Sequence, residues 1–131
     1  MVCAVNGPCV GGAVGIALVA DVVLAARSAY FAVPHVAHLG AVPDLGATRF
    51  LARLLGRSRA LGMALPGDRI DAAQAERWGL IWRCVEYADL TEKAQAIALR
   101  LDEERAAQHT HVAGDFFNDA CSRFLASGAR G

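Results

Sequence analysis

The residues with the clearest chemical potential lie near the start of the 131-residue chain, in the glycine-rich stretch of residues 11–15 (GGAVG). An apolar run at residues 2–5 and the turn signal Asn6-Gly7-Pro8 precede it, so the pattern predicts a strand, a turn and then a helix. Each glycine destabilises a helix interior by about 1 kcal/mol relative to alanine. A helix that begins with several glycines therefore indicates that another group approaches its backbone closely.

Three interpretations of these glycines remain open. The first is tight packing of a helix against a sheet. The second is a dinucleotide-binding fingerprint, but Gly7, Gly12 and Gly15 lack its spacing and no acidic residue follows at the required distance. The third is an oxyanion hole, in which the N–H of Gly12 at a helix N-terminus stabilises a developing negative charge, an interaction worth about 3 kcal/mol.

Three further residues could do chemistry, and each has a simpler interpretation. Asp44 lies in Val-Pro-Asp-Leu-Gly, a sequence typical of a β-turn or a helix cap. His35 and His38 are three residues apart, but a third metal ligand is not evident, so a structural or pocket-lining role is favoured and no metal is expected. Cys9 precedes a helix N-terminus, where its pKa could fall, but without a base beside it we favour a buried packing thiol.

Composition narrows the class of protein. Hydrophobic residues make up 55% of the chain and charged residues 20%, which is typical of one globular domain. Thirteen basic and thirteen acidic residues give no net charge, so nucleic acid is not an expected partner. The four cysteines form no C-x-x-C pair and the opening residues do not resemble a signal peptide, so we expect reduced thiols, a cytoplasmic protein and no membrane association.

Hydrophobic periodicity predicts alternating strands and helices. Strands are expected at 2–5, 22–26, 30–32 and 81–85, and a loop with one helical turn at 34–46. Helices are expected from the glycine stretch to about residue 20, at 47–55, from Ser58 to 65, at 72–78 after Asp71, at 90–105 and at 115–125. The alternation predicts an α/β fold.

Several blocks in a fixed order resemble the enoyl-CoA hydratase/isomerase (crotonase) superfamily. They are AVNGP with the Gly11-Gly12 turn, ADVVLA, FA, LGAVPDLGAT, ALPGDRIDA and AERWGLIW. The resemblance covers residues 1 to about 101. The last block together with Pro43-Asp44 is most similar to the branch that isomerises ring-epoxidised phenylacetyl-CoA, which also resembles Δ3,Δ2-enoyl-CoA isomerases.

The resemblance implies a spiral of ββα units with C-terminal helices and an acyl-CoA thioester as substrate. Coenzyme A would be part of the substrate, with no other cofactor. It also implies a homo-oligomer of the family's trimeric type, or association through exposed faces. Residues 1–106 are expected to be the back half of the crotonase-like domain, without its front half, and residues 107–131 a divergent tail.

The resemblance also implies roles for individual residues. Gly12 is the oxyanion-hole donor, and Gly11 and His35 bind substrate. The two carboxylates of the hydratases fall on Gly15 and His35, so water addition is not expected. The isomerase carboxylate falls on Asp44, which would be catalytic.

One carboxylate that removes a proton at one carbon and returns it at another is sufficient for a double-bond shift, provided that the enolate oxygen is stabilised. On an apolar loop this carboxylate would be partly desolvated, and desolvation favours proton uptake by the carboxylate. The alternative is a truncated, non-catalytic homologue that acts at most as an assembly partner.

Overall fold

A computed structural model describes residues 1–112 of the chain, with the side chains of residues 1–106. Its strands are β1 (Val2–Val5), β2 (Pro8–Val10), β3 (Val22–Ala26), β4 (Tyr30–Ala32), β5 (Ile70–Asp71) and β6 (Arg83–Val85). Its α-helices are α1 (Gly12–Ala17), α2 (Ala47–Ala64), α3 (Ala72–Trp78) and α4 (Leu90–Val112). A π-helix spans His35–Leu39 and a 3₁₀-helix spans Tyr87–Asp89.

Two successive strand–strand–helix units make up the first half of the described chain, β1-β2-α1 and then β3-β4-α2 with the π-helix before α2. The first strands of the two units pair in parallel in a sheet of order β1-β3-β6. The second strands also pair in parallel, in a sheet of order β2-β4-β5 whose last pair is antiparallel. The predicted α/β fold is therefore confirmed.

The core lies among these elements because their apolar residues are continuous rather than alternating, as expected for strands covered on both faces. Leu24, Ala25 and Ala26 of β3 are inaccessible to solvent, and so are Val14 of α1 and Phe31 of β4. Residues 1–95 form one compact unit, and the described residues from 96 onward belong to a second. The candidate site lies entirely in the first unit.

Local sequence signals explain most of the element boundaries. Asp71 begins α3 as its N-cap, where its carboxylate accepts a hydrogen bond from the backbone N–H of Gln74. Gly79 ends α3 in the left-handed conformation. The break predicted at Gly56 is present inside α2, where this glycine has φ 74° and ψ 165°.

Three boundaries differ from the prediction. Helix α1 ends at Ala17 rather than near residue 20, β6 begins at Arg83 rather than residue 81, and α4 continues to Val112. Strands β2 and β5 were not predicted, because β2 begins at Pro8 inside the turn signal and β5 has only two residues. The helix predicted at 115–125 lies outside the described residues, and the division at residue 106 stays a prediction.

Candidate active site

The pairing of β2 with β4 determines where the site lies. Val10 at the end of β2 is opposite Ala32 at the end of β4, and the two strands run in parallel. The segments that follow them therefore leave the sheet at the same edge. One segment is the Gly11-Gly12 turn and the other leads to His35, and the N–H of Gly11 donates to the carbonyl of Ala32 at 2.9 Å.

Gly11 and His35, both predicted to bind substrate, are in contact. Gly11 has φ 65° and ψ −130°, a conformation that residues with a side chain rarely adopt. A Cβ at this position would lie 3.4 Å from Cε1 and 3.7 Å from Nε2 of the His35 ring. The imidazole therefore packs against the bare backbone of the turn.

Gly12, the predicted oxyanion-hole donor, is the first residue of α1, where an N–H has no acceptor within its own helix. Its neighbour is the segment that contains the predicted catalytic residue. A Cβ on Gly12 would lie 3.0 Å from Oδ1 of Asp44 and 2.7 Å from Cδ1 of Leu45. The fold thus places a carboxylate beside the first residue of α1, which lies 32 positions earlier in the sequence.

His35 and Asp44 face one another. Nε2 of the imidazole lies 3.3 Å from Oδ1 of the carboxylate, slightly beyond the usual length of a formed hydrogen bond. The His35 side chain is 12% exposed and that of Asp44 is 61% exposed. The desolvation expected around Asp44 is therefore not provided by the described residues. The Nδ1 atom of His35 is buried and has no hydrogen-bond partner among them.

Gly15, where one hydratase carboxylate would fall, has no room for a side chain. A Cβ there would lie 2.3 Å from the carbonyl oxygen of Leu45 and 3.2 Å from the backbone nitrogen of Ala47. Real Cβ atoms essentially never approach another heavy atom so closely. The backbone that follows Asp44 occupies the space that a glutamate at position 15 would need.

Leu45 is a site residue that the sequence analysis missed. It has φ 48°, the one positive φ at a non-glycine position among the described residues. Gly46 follows with φ 78° and begins α2. A left-handed leucine is strained, at a cost of order 1–3 kcal/mol, and nothing in the local sequence signals it. Strain beside a candidate catalytic carboxylate is typical of functional sites.

Cys9 lies two residues before the glycine turn and is a packing residue. Its side chain is buried in the core, and burial, followed by the neighbouring Cys3, raises the pKa of the Cys9 thiol to about 11. The buried packing thiol favoured from the sequence is therefore confirmed. Cys3 and Cys84 are also free thiols, and Cys121 lies outside the described residues.

The part of the chain that the structure describes contains no group of three histidine, cysteine or acidic side chains arranged to hold a metal ion. His35 and His38 are not joined by a third ligand in these residues. No described helix combines the length and the apolar character needed to cross a membrane.

The fold and site together define an α/β protein in which a glycine turn and a loop carboxylate meet at the end of parallel strands. The profile of the family described as Enoyl-CoA hydratase/isomerase matches residues 1–129. The chain belongs to this family, whose fold is the crotonase fold, and the resemblance stated from its sequence blocks is confirmed.

Named relatives and solved structures agree on the family and differ in activity. The chain is 45% identical over 101 residues to "1,2-epoxyphenylacetyl-CoA isomerase" of Escherichia coli K12, covering 77% of this chain and 38% of that protein. It is 36% identical over 129 residues to "Probable enoyl-CoA hydratase echA8" of Mycobacterium leprae, covering 98% and 49%. The crystal structure of an enoyl-CoA hydratase from Mycobacterium avium subsp. paratuberculosis aligns with a TM-score of 0.73 at 37% identity, covering 78% and 41%. The chain thus spans half or less of the length of each of these proteins.

Proposed function

We propose that this chain carries the proton-transfer part of an acyl-CoA double-bond isomerase. The observation that carries the proposal is the position of Asp44, whose Oδ1 lies 3.0 Å from where a Cβ of Gly12 would be. A thioester whose oxygen accepts from the Gly12 N–H would then present its α carbon beside a carboxylate. Backbone donors at a helix N-terminus favour the enolate oxygen that forms.

The reaction needs one base and no water. Asp44 takes a proton from the α carbon, and the C–H electron pair becomes a C=C bond while the thioester oxygen gains the negative charge. The carboxylic acid then returns the proton to the γ carbon, where the electron pair of the former β–γ double bond forms the new C–H bond. The enolate C=C pair moves to the α–β position, and the charge on oxygen returns to re-form the thioester carbonyl. Gly11 and His35 line the same turn and would bind substrate.

The lack of space for a side chain at Gly15 supports isomerisation over hydration. Hydration needs carboxylates that activate and orient water, and the two positions where the family's hydratases have them are Gly15 and His35. The backbone of Leu45 fills the space beside Gly15, so a second carboxylate has no room there. The Escherichia coli relative is named as an isomerase and the Mycobacterium leprae relative as a probable hydratase. The names of the relatives therefore do not distinguish isomerisation from hydration.

Membership of the family supports an acyl-CoA thioester as the substrate class. Coenzyme A would arrive as part of the substrate, with no further cofactor. The cytoplasmic location and the homo-oligomer remain predictions.

The proposal is tested by measuring the conversion of a 3-enoyl-CoA to the conjugated 2-enoyl-CoA. The absorbance of the conjugated thioester reports the product. Asp44→Asn should lower kcat by about 10²–10⁴-fold, since it removes the proton acceptor. Asp68→Asn is the matched control, because Asp68 is an exposed aspartate outside the site. Equal activity of Asp44→Asn and the purified wild-type protein would contradict the proposal.

A further inference from the structure

The His35–Asp44 pair contains a buried imidazole that the proton transfer itself does not use. Its ring is 12% exposed, with Nε2 3.3 Å from Oδ1 of Asp44 and a buried Nδ1 that has no partner among the described residues. A half-satisfied buried ring of this kind is uncommon, because buried polar atoms normally have hydrogen-bond partners. Its chemical state can be derived from these two contacts.

The contacts select one tautomer. If the proton were on Nδ1, a donor would be buried without an acceptor, and the Nε2 lone pair would face a carboxylate oxygen. If both nitrogens were protonated, the Nδ1–H would again be buried without a partner. With the proton on Nε2 alone, the N–H faces Oδ1 and only a bare lone pair is left at Nδ1.

The same contacts distinguish the two oxygens of Asp44. Oδ1 lies near both the His35 ring and the position of a Gly12 Cβ. It is therefore the oxygen enclosed between the π-helix and the glycine turn. The side chain as a whole is 61% exposed, so with Oδ1 facing the His35 ring a substrate would meet Oδ2.

We propose that His35 is a positioning residue for Asp44. Its neutral imidazole donates the Nε2 hydrogen to Oδ1, so that Oδ2 takes the proton from the α carbon and returns it to the γ carbon. The present 3.3 Å separation shortens when substrate fills the site, as catalytic hydrogen bonds commonly do. This inference rests on the proposed function for the identity of the reacting carboxylate.

The backbone around His35 suits this role. His35 is the first residue of a π-helix, a rare local structure that occurs frequently at functional sites. On one side the ring packs on Gly11, whose missing side chain leaves room for it. On another side the loop at Gly67 approaches the π-helix, since a Cβ there would lie 3.1 Å from Cα of Pro34 and 3.2 Å from Cβ of Ala37. These contacts fix the segment from which the imidazole reaches Asp44.

The first test reads the tautomer directly and does not depend on activity. In protein labelled with ¹⁵N-histidine, two-dimensional NMR of the imidazole nitrogens should show His35 protonated at Nε2 and bare at Nδ1. Asp44→Ala removes the acceptor and should shift the Nε2 and Hε2 resonances of His35 and speed the exchange of Hε2 with solvent, whereas the exposed aspartate variant Asp68→Asn should leave both as in the wild-type protein. A ring protonated at Nδ1, or Nε2 and Hε2 signals unchanged in Asp44→Ala, would overturn the proposal.

The second test uses catalysis and a conservative rescue. His35→Phe keeps a flat ring without a donor and should lower kcat by roughly tenfold or more with a smaller change in KM, because misplacing a reacting group acts on the chemical step. His35→Gln keeps an N–H donor and should recover most of that loss. His38→Gln, on the exposed side of the same π-helix, is the control. Wild-type kcat in His35→Phe, or equal losses in the Phe and Gln variants, would contradict the role.

The two tests separate this inference from the proposed function. If Asp44→Asn retains full isomerase activity, the proposed function fails whatever the tautomer. If Asp44→Asn is inactive while His35 lacks the Nε2–H tautomer, the function stands and the positioning role fails.

Discussion

Glycine residues make the site possible by leaving out a side chain. At Gly11 the missing Cβ permits a positive φ and leaves room for the ring of His35. At Gly12 it permits Asp44 and Leu45 to approach the first turn of α1. Each glycine therefore has a different neighbour, and substitutions at these positions should have different consequences.

Gly12→Ala should reduce activity without unfolding the protein. The new methyl group would lie 2.7 Å from a terminal carbon of Leu45 and 3.0 Å from Asp44 Oδ1. Both are side-chain atoms that can move, and alanine favours the helix. Displacing the carboxylate should cost on the order of 10–100-fold in kcat, measured together with the thermal midpoint. Gly7→Ala has open space around its Cβ and should leave kcat unchanged; equal losses in both variants would contradict this assignment.

Cys9 should make the protein less stable at alkaline pH. Burial raises the pKa of this thiol from 9.0 to about 11. Between these values the unfolded chain releases the thiol proton while the folded chain retains it. Stability from this group is therefore complete below pH 9 and is lost as the pH rises toward 11, by about 2–3 kcal/mol in total.

The measurement is urea unfolding below pH 9 and near pH 11. Cys9→Ala should lower stability below pH 9, through loss of packing, and flatten the difference between the two pH values. Cys84→Ala is the comparison variant. Burial raises the pKa of the Cys84 thiol as well, but this thiol is only partly buried. An undiminished pH dependence in Cys9→Ala would show that another group causes it.

At the scale of elements, the contact between α1 and the segment that precedes α2 fixes the loop that contains Asp44. Gly15 of α1 faces the carbonyl oxygen of Leu45, and its Cβ position lies only 2.3 Å from that backbone atom. Backbone cannot move aside as a side chain can. The spacing between these two helices therefore depends on glycine at this position.

Gly15→Ala should destabilise the fold by about 1–3 kcal/mol, the usual cost of overpacking, and should lower activity as well. Gly62→Ala provides the matched comparison, since it lies within α2 with no atom within 4 Å of its Cβ position. That variant should be stabilised by about 0.4–1 kcal/mol. Denaturant unfolding of both variants tests the pair, and a neutral Gly15→Ala would contradict the close approach.

Longer elements could be predicted from the sequence, whereas the contacts between them could not. The apolar run of β3 and the Asp71 cap of α3 are local signals, and both predictions are confirmed. Strand β2 has three residues and exists because it pairs with β4, a long-range cause without a local pattern. Without β2, the meeting of Gly11 and His35 cannot be derived. The left-handed Leu45 and the π-helix likewise depend on packing.

At the scale of the whole molecule, an apolar surface lies beside the site. β1 is an edge strand of its sheet, and a cavity next to it is lined by Val2, Ile16, Val19 and Leu45, among others. More than half of the surface of Ile16, Val19 and Leu45 is exposed. Exposed apolar surface of this kind favours association, which is consistent with the predicted homo-oligomer.

The central claim is that Asp44 removes a proton from the α carbon of an acyl-CoA. Its most direct test uses a saturated acyl-CoA, which cannot isomerise. The exchange of its α protons for deuterium in D₂O is measured by ¹H NMR. The purified protein should exchange the α protons, Asp68→Asn should match it, and Asp44→Asn should be slower by about 10²–10⁴-fold. Absence of exchange by the wild-type protein, or equal exchange by Asp44→Asn, would contradict the account; absence would favour the non-catalytic alternative.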